Sequence, residues 1–243
     1  MTARVVLTTA PGSVDGLEAA LADVDVRIVR HPLLTFAPPA SWTALDAALA
    51  ASWDAIVLTS PRAADVLAAR APHLAKHRSV WAAGDASAAP LRARGWTVHA
   101  ADGGTATQSA ATSLALAMLA AGVRGRVLHV AGDPHRTELA ERLRDSGCTV
   151  DIVIAYRSVP ASDVELSAVL LRAHLLVVGS PLLVRALAAQ GDDVLGPAWV
   201  ALGATTAETI RAAGLPLAAV ADDPSAPGVA LAIRRALHLT SLD

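Results

Sequence analysis

Cysteine, aromatic residues and excess charge are all scarce in this chain, and each scarcity removes a class of function. A single cysteine in 243 residues, Cys148, excludes an intrachain disulfide and any multi-cysteine metal site. It reads as a small buried hydrophobe. Aromatics are only 3% while apolar residues make up 53%, so the core must be assembled from Val, Leu, Ile and Ala in close-packed layers. That favours helices laid on a sheet. With 20 basic against 22 acidic residues and a net charge of −2, there is no global pull toward nucleic acid or an anionic membrane. Long hydrophobic runs are missing too. "MTARVVLTTAPG" is too short an apolar run for a signal segment, and the charge-free stretch from Thr105 to Val123 is interrupted by Thr107, Gln108, Ser109, Thr112 and Ser113. It reads as an amphipathic or buried helix and not as a membrane span. No GxGxxG follows a strand and no Walker A loop is present, which counts against dinucleotide and P-loop chemistry. The expectation is a soluble cytoplasmic protein with neither nucleic acid nor membrane as a partner.

What the chain does have is an internal repeat. "DAIVLTSPRAADVLAAR" (54–70) resembles "HLLVVGSPLLVRALAAQ" (174–190), with Ser60 and Ser180 separated by 120 residues. "VWAAGDASAAPLRARGWTV" (80–98) resembles "WVALGATTAETIRAAGLPL" (199–217), with Gly84 and Gly203 separated by 119. Asp102 and Asp222 keep the same offset, and Leu7 matches Leu128. Within each half, short β-branched runs alternate with helix-period segments, the pattern of parallel strands joined by crossover helices. The fold class is therefore α/β with two like parallel-sheet domains. Gly95 and Gly214 stand where helices should end. The Pro-rich "HPLLTFAPPAS" (31–41) and "RSVPASDVE" after Tyr156 read as connectors. Periodicity alone leaves two contiguous halves and a crossed arrangement equally open.

In their order and spacing, "DAIVLTSPRA", "GRVLHVAGDPHRTELAERLRDSGCTVDIVIAYRS", "LLVVGSPLLV" and "WVALGATTAETIRAAGLP" resemble the uroporphyrinogen-III synthase family over nearly the whole chain. The resemblance implies two flavodoxin- or Rossmann-like domains joined by a two-stranded hinge at about 32–40 and 155–161, with a substrate cleft between them. It implies a discontinuous first domain, residues 1–35 with 160–243, and a second domain at 40–155. The implied activity is that of a cyclising lyase. It closes hydroxymethylbilane with loss of water and inversion of the last pyrrole ring to give uroporphyrinogen III, on the route to haem, sirohaem and cobalamin. The resemblance further implies a monomer without metal or organic cofactor, and transient contact with hydroxymethylbilane synthase. Two positions depart from the family pattern: Ala10 and Ala131 stand where arginines are common. A non-catalytic tetrapyrrole-binding or regulatory protein of the same fold is the alternative reading.

A substrate with eight carboxylates meeting a chain with no basic excess must be received by something besides net charge. Strand-turn-helix units offer free N–H groups and positive dipole ends. On this reading Gly203, Thr205 and Thr206 receive a carboxylate, and Gly84 and Ser87 do the same in the other half. Ser60 and Ser180 stand at strand C-terminal ends, where ligands of open α/β sheets bind. Each of these residues also suits plain N-capping, and the residues alone leave both open. Tyr156, the only tyrosine, matches the tyrosine of the family's motif, and by that resemblance it helps the substrate hydroxyl leave. A phenol is protonated at neutral pH and can donate a proton, although a tyrosine closing a strand is also an ordinary packing residue. Arg62 and Arg136 follow strand-turn junctions, where they could meet carboxylates, but they read first as solvated helix-face arginines. His73 and His77 have i, i+4 spacing but no accompanying carboxylate motif, so they read as surface histidines and no metal site is expected.

Overall fold

The computed structural model describes residues 2–10, 12–76, 79–101, 109–191 and 196–240. His77, Asp102, Thr105, Thr107 and Gln108 of the sequence reading lie outside them. In chain order the strands are β1 (Ala3–Leu7), β2 (Val26–Arg30), β3 (Leu34–Ala37), β4 (Ala55–Leu58), β5 (Val80–Ala83), β6 (Val98–Ala101), β7 (Arg126–Asp133), β8 (Thr149–Pro160), β9 (Leu175–Val178), β10 (Ala198–Ala201) and β11 (Leu217–Val220). The helices are α1 (Leu17–Ala20), α2 (Thr43–Ala50), α3 (Pro61–Arg70), α4 (Asp85–Arg92), α5 (Ala110–Ala120), α6 (Glu138–Asp145), α7 (Asp163–Leu170), α8 (Pro181–Ala188), α9 (Ala204–Ala212) and α10 (Ala226–Thr240). None of the described helices is long and apolar enough to cross a membrane.

The chain divides into two compact units, one formed by Met1–Thr35 with Val159–Asp243 and the other by Phe36–Ser158. The first holds a five-stranded sheet in the order β11-β10-β9-β1-β2, parallel throughout. The second holds a six-stranded sheet in the order β3-β8-β7-β4-β5-β6, parallel from β8 to β6. The two orders match strand for strand, β9 with β4, β10 with β5, β11 with β6, β1 with β7 and β2 with β8. The repeat in the sequence is thus a repeat of topology, and the Ser-Pro pair follows the equivalent strand in each sheet.

The short apolar runs become strands because helices cover both faces of each sheet, so inward alternation gives way to continuous burial. β4 and β9 are buried at every position. Ile56 and Leu58 face one core of the second unit and Ala55 and Val57 the other. In the first unit Val6 faces one core while Val5 and Leu7 face the opposite one. Proline at the first helical position starts both α3 and α8, a place where its fixed φ suits the helix and its missing N–H costs nothing. Gly95 and Gly214 close α4 and α9 at φ 77 and 69, a left-handed turn that a side chain would strain.

The connectors at 31–41 and after Tyr156 lie side by side as strands, as the family resemblance implied. The first contains β3, and β8 continues through Pro160, lying next to β3 in the sheet. The segments also bond directly: the Ala161 N–H donates to Leu33 O at 2.8 Å and Arg157 Nε to Pro38 O at 3.0 Å. Strand pairing satisfies backbone groups that prolines alone could not. The chain then leaves β8 through a capping box, in which Ser162 and Glu165 cap each other's backbone at the start of α7.

Candidate active site

In each sheet the chain runs outward in one direction and then returns to run outward in the other. The reversal lies between β9 and β1 in the first unit and between β4 and β7 in the second. Open parallel sheets bind ligands beyond the strand C-termini at such a point, because the two departing turns leave a crevice. Both reversals carry a pocket. The first unit has one of 400 Å³ lined by Thr9, Ala10, Gly179, Ser180 and Leu202. The second has one of 320 Å³ lined by Ser60, Gly132, His135, Arg136, Leu139 and Tyr156.

The second unit's pocket joins two residues that the sequence reading named separately. Tyr156 sits on β8, opposite Gly132 of β7 across a local shift of register. Ser60 ends the turn after β4 and caps α3, its Oγ accepting from the Arg62 N–H at 3.2 Å. The Tyr156 hydroxyl reaches across and donates to the same Oγ at 3.0 Å. Ser60 therefore receives two donors, and its own proton remains free for a third group. Gly132 makes room for the phenol, since a Cβ there would lie 2.6 Å from the Tyr156 oxygen.

Phe36 of β3 packs edge-to-face on Tyr156 with ring centroids 5.7 Å apart, an arrangement aromatic quadrupoles favour. The Arg62 guanidinium lies over the Phe36 ring at 3.2 Å and 5.9 Å from the Tyr156 ring. Arg62 was read as a solvated helix-face residue; it is exposed, but it is seated on an aromatic face. Across the pocket, His135 stands edge-on to His129 of β7, ring centroids 6.1 Å apart. His129 is only 1% exposed, and among the described residues neither of its ring nitrogens has a hydrogen-bond partner. Burial, with the charges of His135 and Arg144 adding, pushes its pKa down from 6.5 to about 4, so the imidazole is neutral at pH 7.

Gly84 and Gly203 are the N-caps of α4 and α9, and no side chain caps either helix. Ser87 and Thr206 turn inward, 3% and 4% exposed. Thr205 points out to a shallow groove with Arg185 and Glu208. The groups these two turns present are therefore main-chain N–H groups, not hydroxyls. Ser180 caps no N–H with its side chain and lines the first unit's pocket, as does Ala10. Ala131 is buried within β7, His73 is exposed on a 3-10 turn, and Cys148 is buried and unpaired. Among the described residues no three His, Cys, Asp or Glu side chains group closely enough to hold a metal ion.

Phe36, Gly132 and His135 were not anticipated. Phe36 carried one signal, being the sole phenylalanine in a chain poor in aromatics. Gly132 and His135 carried none, since their roles depend on strand register.

No curated protein matches the sequence. Solved structures that share the fold include two uroporphyrinogen III synthases. The uroporphyrinogen III synthase of Thermus thermophilus, as a triple mutant, is 19% identical with a TM-score of 0.59, over 98% of this chain and 99% of that one. The uroporphyrinogen-III synthetase of Helicobacter pylori is 15% identical with a TM-score of 0.60, over 99% of this chain and all of that one. The family model for uroporphyrinogen-III synthase (HemD) matches residues 15–230, a span that takes in strands of both sheets and the whole of the second unit's pocket, and the chain belongs to that family.

Proposed function

We propose that the second unit's pocket is where hydroxymethylbilane loses its hydroxyl group, with Tyr156 as the proton donor. The family's reaction is a cyclising loss of water, which makes this chain a lyase. The observation that carries the reading is the 3.0 Å bond from the Tyr156 hydroxyl to Ser60 Oγ at the sheet's point of reversal. It fixes the phenol's direction while leaving it at the pocket surface.

The chemistry follows from that geometry. The phenol passes its proton to the departing hydroxyl as the carbon–oxygen bond breaks, and water leaves. The pyrrole nitrogen's lone pair supports the cationic carbon so formed, and the last ring attacks it through its substituted α-carbon. The bond from that carbon to the neighbouring methylene breaks and re-forms at the ring's other α-carbon, and the proton lost there restores the pyrrole and returns to the phenolate. Ser60, holding a free proton, turns to donate to the phenolate. The bilane closes unaided without inversion, so the protein's larger task is to hold the chain in the geometry that inverts the last ring. Its carboxylates are received by first-turn N–H groups of α4 and α9, which follow the N-caps Gly84 and Gly203 and where helix dipoles favour negative charge, and by the hydroxyl-lined pocket at Ser180. The enzyme works in the cytoplasm as a monomer, taking substrate in transient contact with hydroxymethylbilane synthase. Nothing in the site favours a non-catalytic binding protein.

The deciding experiment supplies hydroxymethylbilane generated in situ, oxidises the products and measures the ratio of type III to type I porphyrin. Type III product is expected, and several-fold less of it from Tyr156→Phe. Type I alone from the wild-type protein would exclude the reading.

A further inference from the structure

Among the described residues Arg62 is an exposed cation without an anion. The nearest acid on its own helix, Asp65 at i+3, is held by Arg94 at 3.1 Å, and Arg70 farther along is bonded to Asp46 at 2.7 Å. Among the described residues the Arg62 guanidinium contacts no carboxylate. It is nonetheless held in one place, over the Phe36 ring at 3.2 Å. Phe36 in turn packs on Tyr156, and the Arg62 main-chain N–H shares Ser60 Oγ with the Tyr156 hydroxyl. A long charged side chain is thus seated beside the phenol by two independent contacts, one through its backbone and one through its guanidinium.

Such seating matters because an arginine free in water loses side-chain entropy on gripping an anion, whereas one already held on an aromatic face loses less. The planar fork also keeps its N–H edges free while its face covers the ring. Two other arginines lie near Tyr156: Arg157 has its Nε engaged by Pro38 O at 3.0 Å, and Arg136 lines the same pocket but, among the described residues, is not seated on an aromatic ring.

We propose that Arg62 is a substrate-binding residue, taking a carboxylate side chain of the same pyrrole whose hydroxyl Tyr156 releases, and that Phe36 positions it. This rests on the reading of Tyr156 given above and adds the group that aligns the ring on it. Side chains of one pyrrole lie a few bonds apart, matching a guanidinium set 5.9 Å from the centre of the phenol ring. Gripping the carboxylate turns the ring so that its hydroxymethyl oxygen meets the phenol, and the contact is the same before and after the carbon–oxygen bond breaks. Its loss should therefore appear in KM more than in kcat.

Steady-state assays with hydroxymethylbilane generated in situ decide it. Arg62→Gln should raise KM about tenfold, the loss of one charge-assisted pair, with kcat within twofold and an unchanged circular dichroism melt. Phe36→Leu should raise KM about threefold through loss of the seat, and should add nothing in the Arg62→Gln background. A bilane whose hydroxymethyl-bearing pyrrole carries methyl and ethyl groups in place of its two acids should show the raised KM with wild-type protein. With Arg62→Gln it should be handled like the natural substrate. A wild-type KM in Arg62→Gln, or continued discrimination between the two bilanes by that variant, overturns the assignment of Arg62 and leaves the role of Tyr156 standing. Exclusive type I product from the wild-type protein overturns the role of Tyr156 itself.

Discussion

Gly132 and Tyr156 face each other across β7 and β8 so closely that a methyl group on the glycine would occupy the space of the phenol ring. The sheet tolerates the tyrosine's inward lean only because that position has no side chain.

Gly132→Ala should therefore move the Tyr156 ring without unfolding the sheet, since nothing about the glycine's own backbone requires a left-handed conformation. Turnover should fall by about tenfold to a hundredfold, the scale of an ångström-level misplacement at a reacting group. A kcat within twofold of wild type would show that the phenol's position is not critical.

Ser60 has two tasks, and they separate on mutation. Ser60→Ala removes the N-cap of α3 and should cost about 1 kcal/mol, lowering the melting temperature by about 2–4 °C. It also releases the Tyr156 hydroxyl, so kcat should drop several-fold. Ser60→Asp restores the cap and the acceptor, so its melting temperature should recover. Differential scanning calorimetry alongside the porphyrin assay distinguishes the two effects.

Stability should depend on pH through His129. Burial holds its folded-state pKa at about 4, against 6.5 when exposed. Below pH 6.5 the unfolded chain binds a proton that the folded chain refuses, so this contribution is complete above 6.5 and lost as pH falls toward 4. Over that window it amounts to about 3 kcal/mol. His129→Leu removes both the titration and two unpartnered nitrogens. Urea melts at pH 7 and pH 5 should converge in that variant, and an undiminished pH slope would assign the effect to other groups.

The main-chain account of carboxylate binding makes an unusual mutational prediction for α9. Thr205→Val should leave KM within about twofold, because first-turn N–H groups and not the hydroxyl receive the anion. Ala204→Pro deletes one such N–H at the first helical position, where proline is tolerated, and should raise KM about threefold. A KM raised by the threonine variant and untouched by the proline would reverse the assignment.

Much of the fold was legible because it depends on short-range patterns. Fully apolar runs such as Ala55–Leu58 and Leu175–Val178 became buried parallel strands, and Gly95 and Gly214 became helix ends. The connectors were harder to read. From its residues alone "HPLLTFAPPAS" reads as a connector, yet its proline-free centre, Leu34–Ala37, pairs as an edge strand, which only the family resemblance implied. Ser60 and Tyr156 were each identifiable as candidates. Their meeting was not, since it spans 96 residues and depends on how β4 and β8 flank β7.

By itself, then, the sequence determined that this is a doubled α/β chain of the uroporphyrinogen-III synthase family, since residue order encodes periodicity, caps and repeats within a few turns of chain. Tertiary structure alone decided that the Tyr156 hydroxyl meets Ser60, that the phenol leans over Gly132, and that Arg62 rests on Phe36. Contacts of that kind come from which strands pair and in what register, a choice made by burial over the whole sheet and not by any local run of residues.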